Sequence, residues 1–198
     1  MLYTIAHFLR DKLPWLWNLI DILNSTLFSW RYYAKLKAIE KRILTSYSIE
    51  SCMSIVPMSQ VSSDKLAQFF ANQPKDTYTF FSPHAFDVKS IKRLQKNKAF
   101  LAYILLDNQD IVAYCFIRSF FHGKGFRGRM VGFNHRGKGL GTLMNKMMND
   151  IGFGIRLRLF ETVSKNNTAS YHSALSASNV KVIEEMDDNE LFLEILQE

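Results

Sequence analysis

A chain of 198 residues with 47% hydrophobic and 22% charged side chains can bury a sizeable core, which excludes a disordered or low-complexity protein. The formal charge of +7 favours anionic partners, yet there is no long basic run and no nucleic-acid motif, so nucleic acid is not the expected partner. Two cysteines, Cys52 and Cys115, sit in apolar runs without metal-ligand spacing; they exclude a disulfide framework and suit buried thiols of a cytoplasmic protein.

Residues 1–45 are expected to form an amphipathic helical extension, and residues 46–198 a separate domain. Residues 13–30 read LPWLWNLIDILNSTLFSW, nearly the length of a membrane span, but Asp21 makes spanning costly and no cleavage site of a signal peptide follows. Trp15, Leu16, Leu19, Ile20, Leu23 and Leu27 recur on one helical face, and Arg31, Lys35, Lys37, Lys41 and Arg42 follow. Such a helix either packs on the domain or a second copy, or lies on the inner membrane face with its cations at the headgroups.

The first strand is expected over residues 47–56, ended by Pro57. Ser62, Ser63 or Asp64 can cap a helix reaching Phe70. Residues 74–83 form a loop rich in aromatics, and Asp87 caps a second helix running to Lys96. Residues 99–106 and 111–120 read as a hairpin around the turn Asp107-Asn108-Gln109-Asp110. A strand over 127–133 leads into His135-Arg136-Gly137-Lys138-Gly139-Leu140-Gly141-Thr142, and Leu140, Leu143, Met144, Met147 and Ile151 recur after it at helical spacing. A strand over 155–163, a helix over 165–175 and an antiparallel pair, 180–186 with 190–195, close the chain.

A glycine-rich turn from strand to helix exposes the helix's first amides at the positive end of its dipole, a ready phosphate site. It is not a P-loop, because Gly139 stands where Ser or Thr should hold magnesium. It is not a dinucleotide fingerprint either, since glycines at 137, 139 and 141 have the wrong spacing. What fits is Arg136-x-x-Gly139-x-Gly141, which resembles the pyrophosphate loop Q/R-x-x-G-x-G/A of the GNAT superfamily, the acetyl-CoA-dependent N-acyltransferases. Val163-x-x-x-Asn167-x-x-Ser170 is similar to that family's V-x-x-x-N-x-x-A/S segment, and the resemblance runs from about Tyr47 to the C-terminus.

The resemblance implies an α/β fold with a mixed central sheet in which two parallel strands splay, here 127–133 and 155–163. Acetyl-CoA would enter the gap as co-substrate, without a metal. Its site would be Met130, Val131, Phe133, Arg136, Gly137, Lys138, Gly139, Leu140, Gly141, Thr142, Asn167 and Ser170, with an oxyanion donor among the backbone N–H groups of residues 130–133. The acceptor would be a small primary amine, with an amino sugar for surface polysaccharide synthesis as the preferred choice. Candidate bases are Glu161, acting through water, and His84 in the acceptor-side loop. The sequence departs from the family at its general acid: Ala174 stands where a Tyr is usual, and Tyr171, one turn earlier, is the substitute, ahead of His172 and Ser173. That departure keeps open a non-catalytic protein that binds CoA or a membrane.

Overall fold

The structure, a computed structural model, describes residues 14–47, 53–186 and 189–197, without the side chains of Pro14, Trp15 and Trp17. The expectations placed on Trp15, on Cys52 and on the start of the first strand therefore lie outside the described residues.

Helix α1 spans Pro14–Ser46 without a break. Proline stands at its first position, where the missing N–H costs nothing, and no glycine or further proline follows. β1 is Met53–Pro57, α2 is Ser63–Ala71 and α3 is Val88–Lys96. The Ser62 hydroxyl accepts from Asp64 N–H and the Asp87 carboxylate from Ser90 N–H, capping α2 and α3 as their sequences indicate. β2 (Phe100–Asp107) and β3 (Asp110–Ser119) form the hairpin. β4 is Lys124–Val131, α4 is Leu140–Gly154 and β5 is Arg158–Ser164. Residues 155–157, expected in that strand, instead close α4, with Ile155 at its C-cap. α5 (Thr168–Leu175), β6 (Val180–Met186) and β7 (Glu190–Ile195) complete the chain.

The seven strands form one sheet in the order β1-β2-β3-β4-β5-β7-β6. Every neighbouring pair is antiparallel except β4 with β5. Alternation along β2 feeds two cores. Leu101, Tyr103 and Leu105 face a core shared with α1 and α4, through Phe28, Tyr32, Leu36, Ile43, Met144, Met147 and Ile151. Phe100, Ala102 and Ile104 face a second core with α2 and α3, through Leu66, Phe70, Ile91 and Leu94. Both faces of the sheet are thus covered, which leaves the fork between β4 and β5 as the place where the layers open.

The first half of α1 is turned opposite to what its amphipathicity suggests for a helix packed on a domain. Its polar side chains hold the domain: Asn18 Oδ1 accepts from Arg93, Asp21 lies 3.7 Å from the Arg118 guanidinium, Asn24 Nδ2 donates to Ser119 C=O, and Ser25 Oγ accepts from Lys98 N–H. Its apolar side chains Leu19, Ile20, Leu23 and Leu27 are exposed. Among the described residues, no helix is long and apolar enough to cross a membrane.

Candidate active site

Parallel pairing between β4 and β5 is confined to Lys124 with Arg158, Gly125 with Leu159 and Phe126 with Phe160. Beyond Phe126 the strands part. Among the described residues, 127–131 keep strand pairing only with β3, and 161–164 only with β7. Gly132 N–H donates to Val112 C=O on the β3 side. By the alternation of strand amides, Met130 N–H faces β3 as well, while the Val131 and Arg129 N–H groups face the gap. Phe133 N–H is taken by Gln73 Oε1 at 2.9 Å. Of the four amides expected to include an oxyanion donor, the geometry leaves Val131.

The glycine turn lies at the open end of this fork. Gly139 is the N-cap of α4 at φ +75°, a left-handed conformation that a side chain would strain, and it offers no side-chain cap. The first helix amide with a partner is Leu143 N–H, to Gly139 C=O, so the amides of residues 140–142 are directed out of the helix end. A Cβ on Gly141 would stand 3.1 Å from Ser173 Oγ, which fixes how closely α5 approaches the turn.

A cleft of about 450 Å³ joins the turn, the fork and the acceptor-side loop. The expected site residues Met130, Val131, Arg136, Gly137, Gly139, Gly141, Thr142, Glu161, Asn167 and Ser170 all line it. The remaining expected residues do not. Lys138 is exposed outside the lining, the Leu140 side chain is buried in the core beneath α4, and Phe133 lines a separate cleft with Gln73 and His135. Tyr171 packs on Val163, Leu191 and Leu193 and is outside the lining, where Ser170 and Ser173 take the place on α5. His84 lies in an aromatic core with Phe70, Phe86, Phe100 and Phe116. Its Nδ1 meets Ala85 C=O at 2.9 Å and its Nε2 meets the buried Tyr114 hydroxyl at 2.8 Å, so both ring nitrogens are engaged. Burial lowers its pKa below the ordinary value, partly offset by the bond to Ala85.

Side-chain roles also differ from those expected. Arg136 donates to Thr77 Oγ1 at 2.8 Å and lies over the Phe133 ring, tying the glycine turn to the acceptor-side turn Lys75–Thr79. Asn167 Oδ1 accepts from Ser170 N–H and so caps α5.

Glu161 was expected at the fork, but its two arginine partners were not. Arg127, Arg129 and Glu161 form a buried cluster just past the last β4–β5 pair. Glu161 Oε2 accepts from Arg127 Nε at 2.6 Å and lies 3.4 Å from Arg129. Arg127 also donates to Asn149 Oδ1 on α4, and Arg129 to Ser170 C=O and Oγ on α5. Burial presses Arg127 down from its ordinary pKa, and Glu161 opposes it. Glu161 Oε1 is buried in the cleft wall without a hydrogen-bond partner among the described residues. The sequence signal was available: arginines two apart on a strand point to one face, and a carboxylate on the following strand can meet them.

No protein-family model matches the sequence, and no curated protein does. Solved structures do match. The GNAT domain of PAT from S. lividans superposes with a TM-score of 0.63 at 11% identity, over 72% of this chain and 89% of that one. The acetyltransferase MccE of microcin C7 self-immunity, solved with acetyl-CoA and AMP, gives 0.57 at 16% identity, over 77% and 98%. The Campylobacter jejuni N-acetyltransferase PseH gives 0.56 at 12% identity, over 74% and 99%. The likeness is one of fold, and with the forked sheet and the glycine turn at its mouth it establishes that this chain has the fold of the GNAT acetyltransferases.

Proposed function

We propose that this protein is an N-acetyltransferase that moves acetyl from acetyl-CoA to a primary amine of a small molecule, by direct attack in a ternary complex. The observation that carries the reading is the fork itself: two unpaired strand edges with helix-end amides at their mouth. Pyrophosphate suits the amides of residues 137–142, since Arg136 N–H already donates to Phe133 C=O. The pantetheine arm can pair along the open edge of β4 as an added strand. That course brings the thioester carbonyl toward Val131 N–H, where charge develops as the amine attacks. The resulting tetrahedral oxyanion collapses, the C–S bond breaks, and the amide and CoA thiolate separate.

Glu161 is the favoured base. Its Oε1, buried at the cleft wall with no hydrogen-bond partner among the described residues, is the atom that takes the amine proton, relayed by a water admitted when the cleft fills. His84 is the lesser choice, with neither ring nitrogen free. For the thiolate, Ser173 in the lining or water is better placed than Tyr171. Phe80 and Phe81 give the acceptor side an apolar wall, and Asp76 and Glu190 add carboxylates that suit a cationic amine. This wall is compatible with an amino sugar, nucleotide-linked, made in the cytoplasm for a surface polysaccharide. The first half of α1 then serves attachment, to a membrane face or a second copy, while its second half belongs to the core.

One observation favours a second reading, a CoA-binding protein without turnover: Ala174 is buried and Tyr171 is not in the cleft lining. Release of CoA thiol from acetyl-CoA, measured with amino sugars, amino acids and polyamines, separates the two. Amine-dependent release supports transfer. Binding of acetyl-CoA without release on any amine supports the second reading.

A further inference from the structure

The outward side of α1 is apolar in its first half and cationic in its second. Leu19, Leu23 and Trp30 are 46%, 54% and 87% exposed, with Ile20, Ile22 and Leu27 beside them. At helical spacing the same side continues into Lys37 and Lys41, both exposed. The two acids of this helix are turned to the domain: Asp21 toward Arg118, and Glu40 accepting from the Tyr103 hydroxyl at 2.9 Å. The bond from Arg93 to Asn18 sets α3 beside the helix, and α3 adds exposed Lys89, Lys92 and Lys96.

A helix that grips its own domain with Asn18, Asp21, Asn24 and Ser25 while presenting leucines and a tryptophan outward does not use its apolar side for folding. We propose that this side is a peripheral membrane-binding surface for anionic lipid, with α1 lying in the bilayer interface. The large apolar side chains enter the headgroup boundary, and Lys37, Lys41 and the α3 lysines meet lipid phosphates. A second copy fits the charge pattern less well. Parallel pairing brings the lysine-bearing halves together, and antiparallel pairing sets them against leucines. An anionic bilayer matches both halves at once.

The test uses the full chain, phosphatidylcholine vesicles with or without phosphatidylglycerol, and co-sedimentation. The expected result is binding to the phosphatidylglycerol vesicles alone, weakened by salt. Leu23→Glu with Trp30→Glu, and separately Lys37→Glu with Lys41→Glu, should each weaken partitioning about tenfold or more. Melting temperature and acetyl-CoA affinity should stay unchanged, since these side chains are exposed. Full-length protein that stays in the supernatant with phosphatidylglycerol vesicles overturns the proposal. So does binding that both double variants retain. Sedimentation equilibrium giving twice the monomer mass, abolished by Leu23→Glu with Trp30→Glu and without vesicle binding, would assign the surface to a second copy instead.

Discussion

Tyr171 and His84 illustrate how a residue type can suit a chemistry while its position does not. Tyr171 is one helical turn before the expected place of a general acid, but that turn points its ring at Val163, Leu191 and Leu193. Tyr171→Phe is therefore expected to change kcat by less than about threefold, under about 0.7 kcal/mol in the barrier. A fall of about a hundredfold, the scale of a lost general acid, would return the hydroxyl to the mechanism. His84 has a suitable intrinsic pKa, but burial lowers it and holds the ring neutral. A depressed histidine contributes no penalty above its unfolded pKa, near 6.5, and costs stability as pH falls from there through the folded value. The melting temperature should drop as pH falls below about 6.5, and less so in His84→Gln. Equal pH dependence in the two proteins would contradict this account of the ring.

At the scale of elements, caps and breakers were readable because their signals are local: Ser62, Asp87 and the turn at Asn108 act within a few residues of themselves. The glycine turn was readable for the same reason. The cluster of Arg127, Arg129 and Glu161 was not, although its two strands were expected side by side, because the register that sets Glu161 against Arg127 joins residues 34 apart in sequence and no local signal fixes it. The orientation of α1 was hidden for a related reason. Periodicity locates an apolar side but not the side on which the domain lies, and four polar contacts reverse the usual choice. The second half of α1 belongs to the main core through Phe28, Tyr32, Leu36, Ile43 and Leu44. Deleting α1 to begin the chain at Tyr47 should therefore abolish soluble folded protein, given that removal of a single such side chain costs about 2–5 kcal/mol. A cooperative thermal transition in the truncated chain would contradict that placement.

For the whole molecule, the fold followed from one turn and the order of its neighbours: a strand, a glycine turn, a helix and a second strand imply a crossover, and the observed β4–β5 pair is parallel only at its root. Two covered sheet faces leave the fork as the opening into which a long thin ligand can pass, and the turn at its mouth as the anion site. The central claim is that acetyl-CoA occupies this fork with its pyrophosphate on the α4 amides. Calorimetric titration of acetyl-CoA into the full chain and into Gly139→Asp tests it most directly. The substitution places a side chain at φ +75° and a carboxylate beside the pyrophosphate, while a Cβ there meets no protein atom within 4 Å, so the fold should survive. The account predicts saturable binding by the native chain, weakened about tenfold or more in the folded variant; equal affinity in the two proteins, or no binding by the native chain, would contradict it.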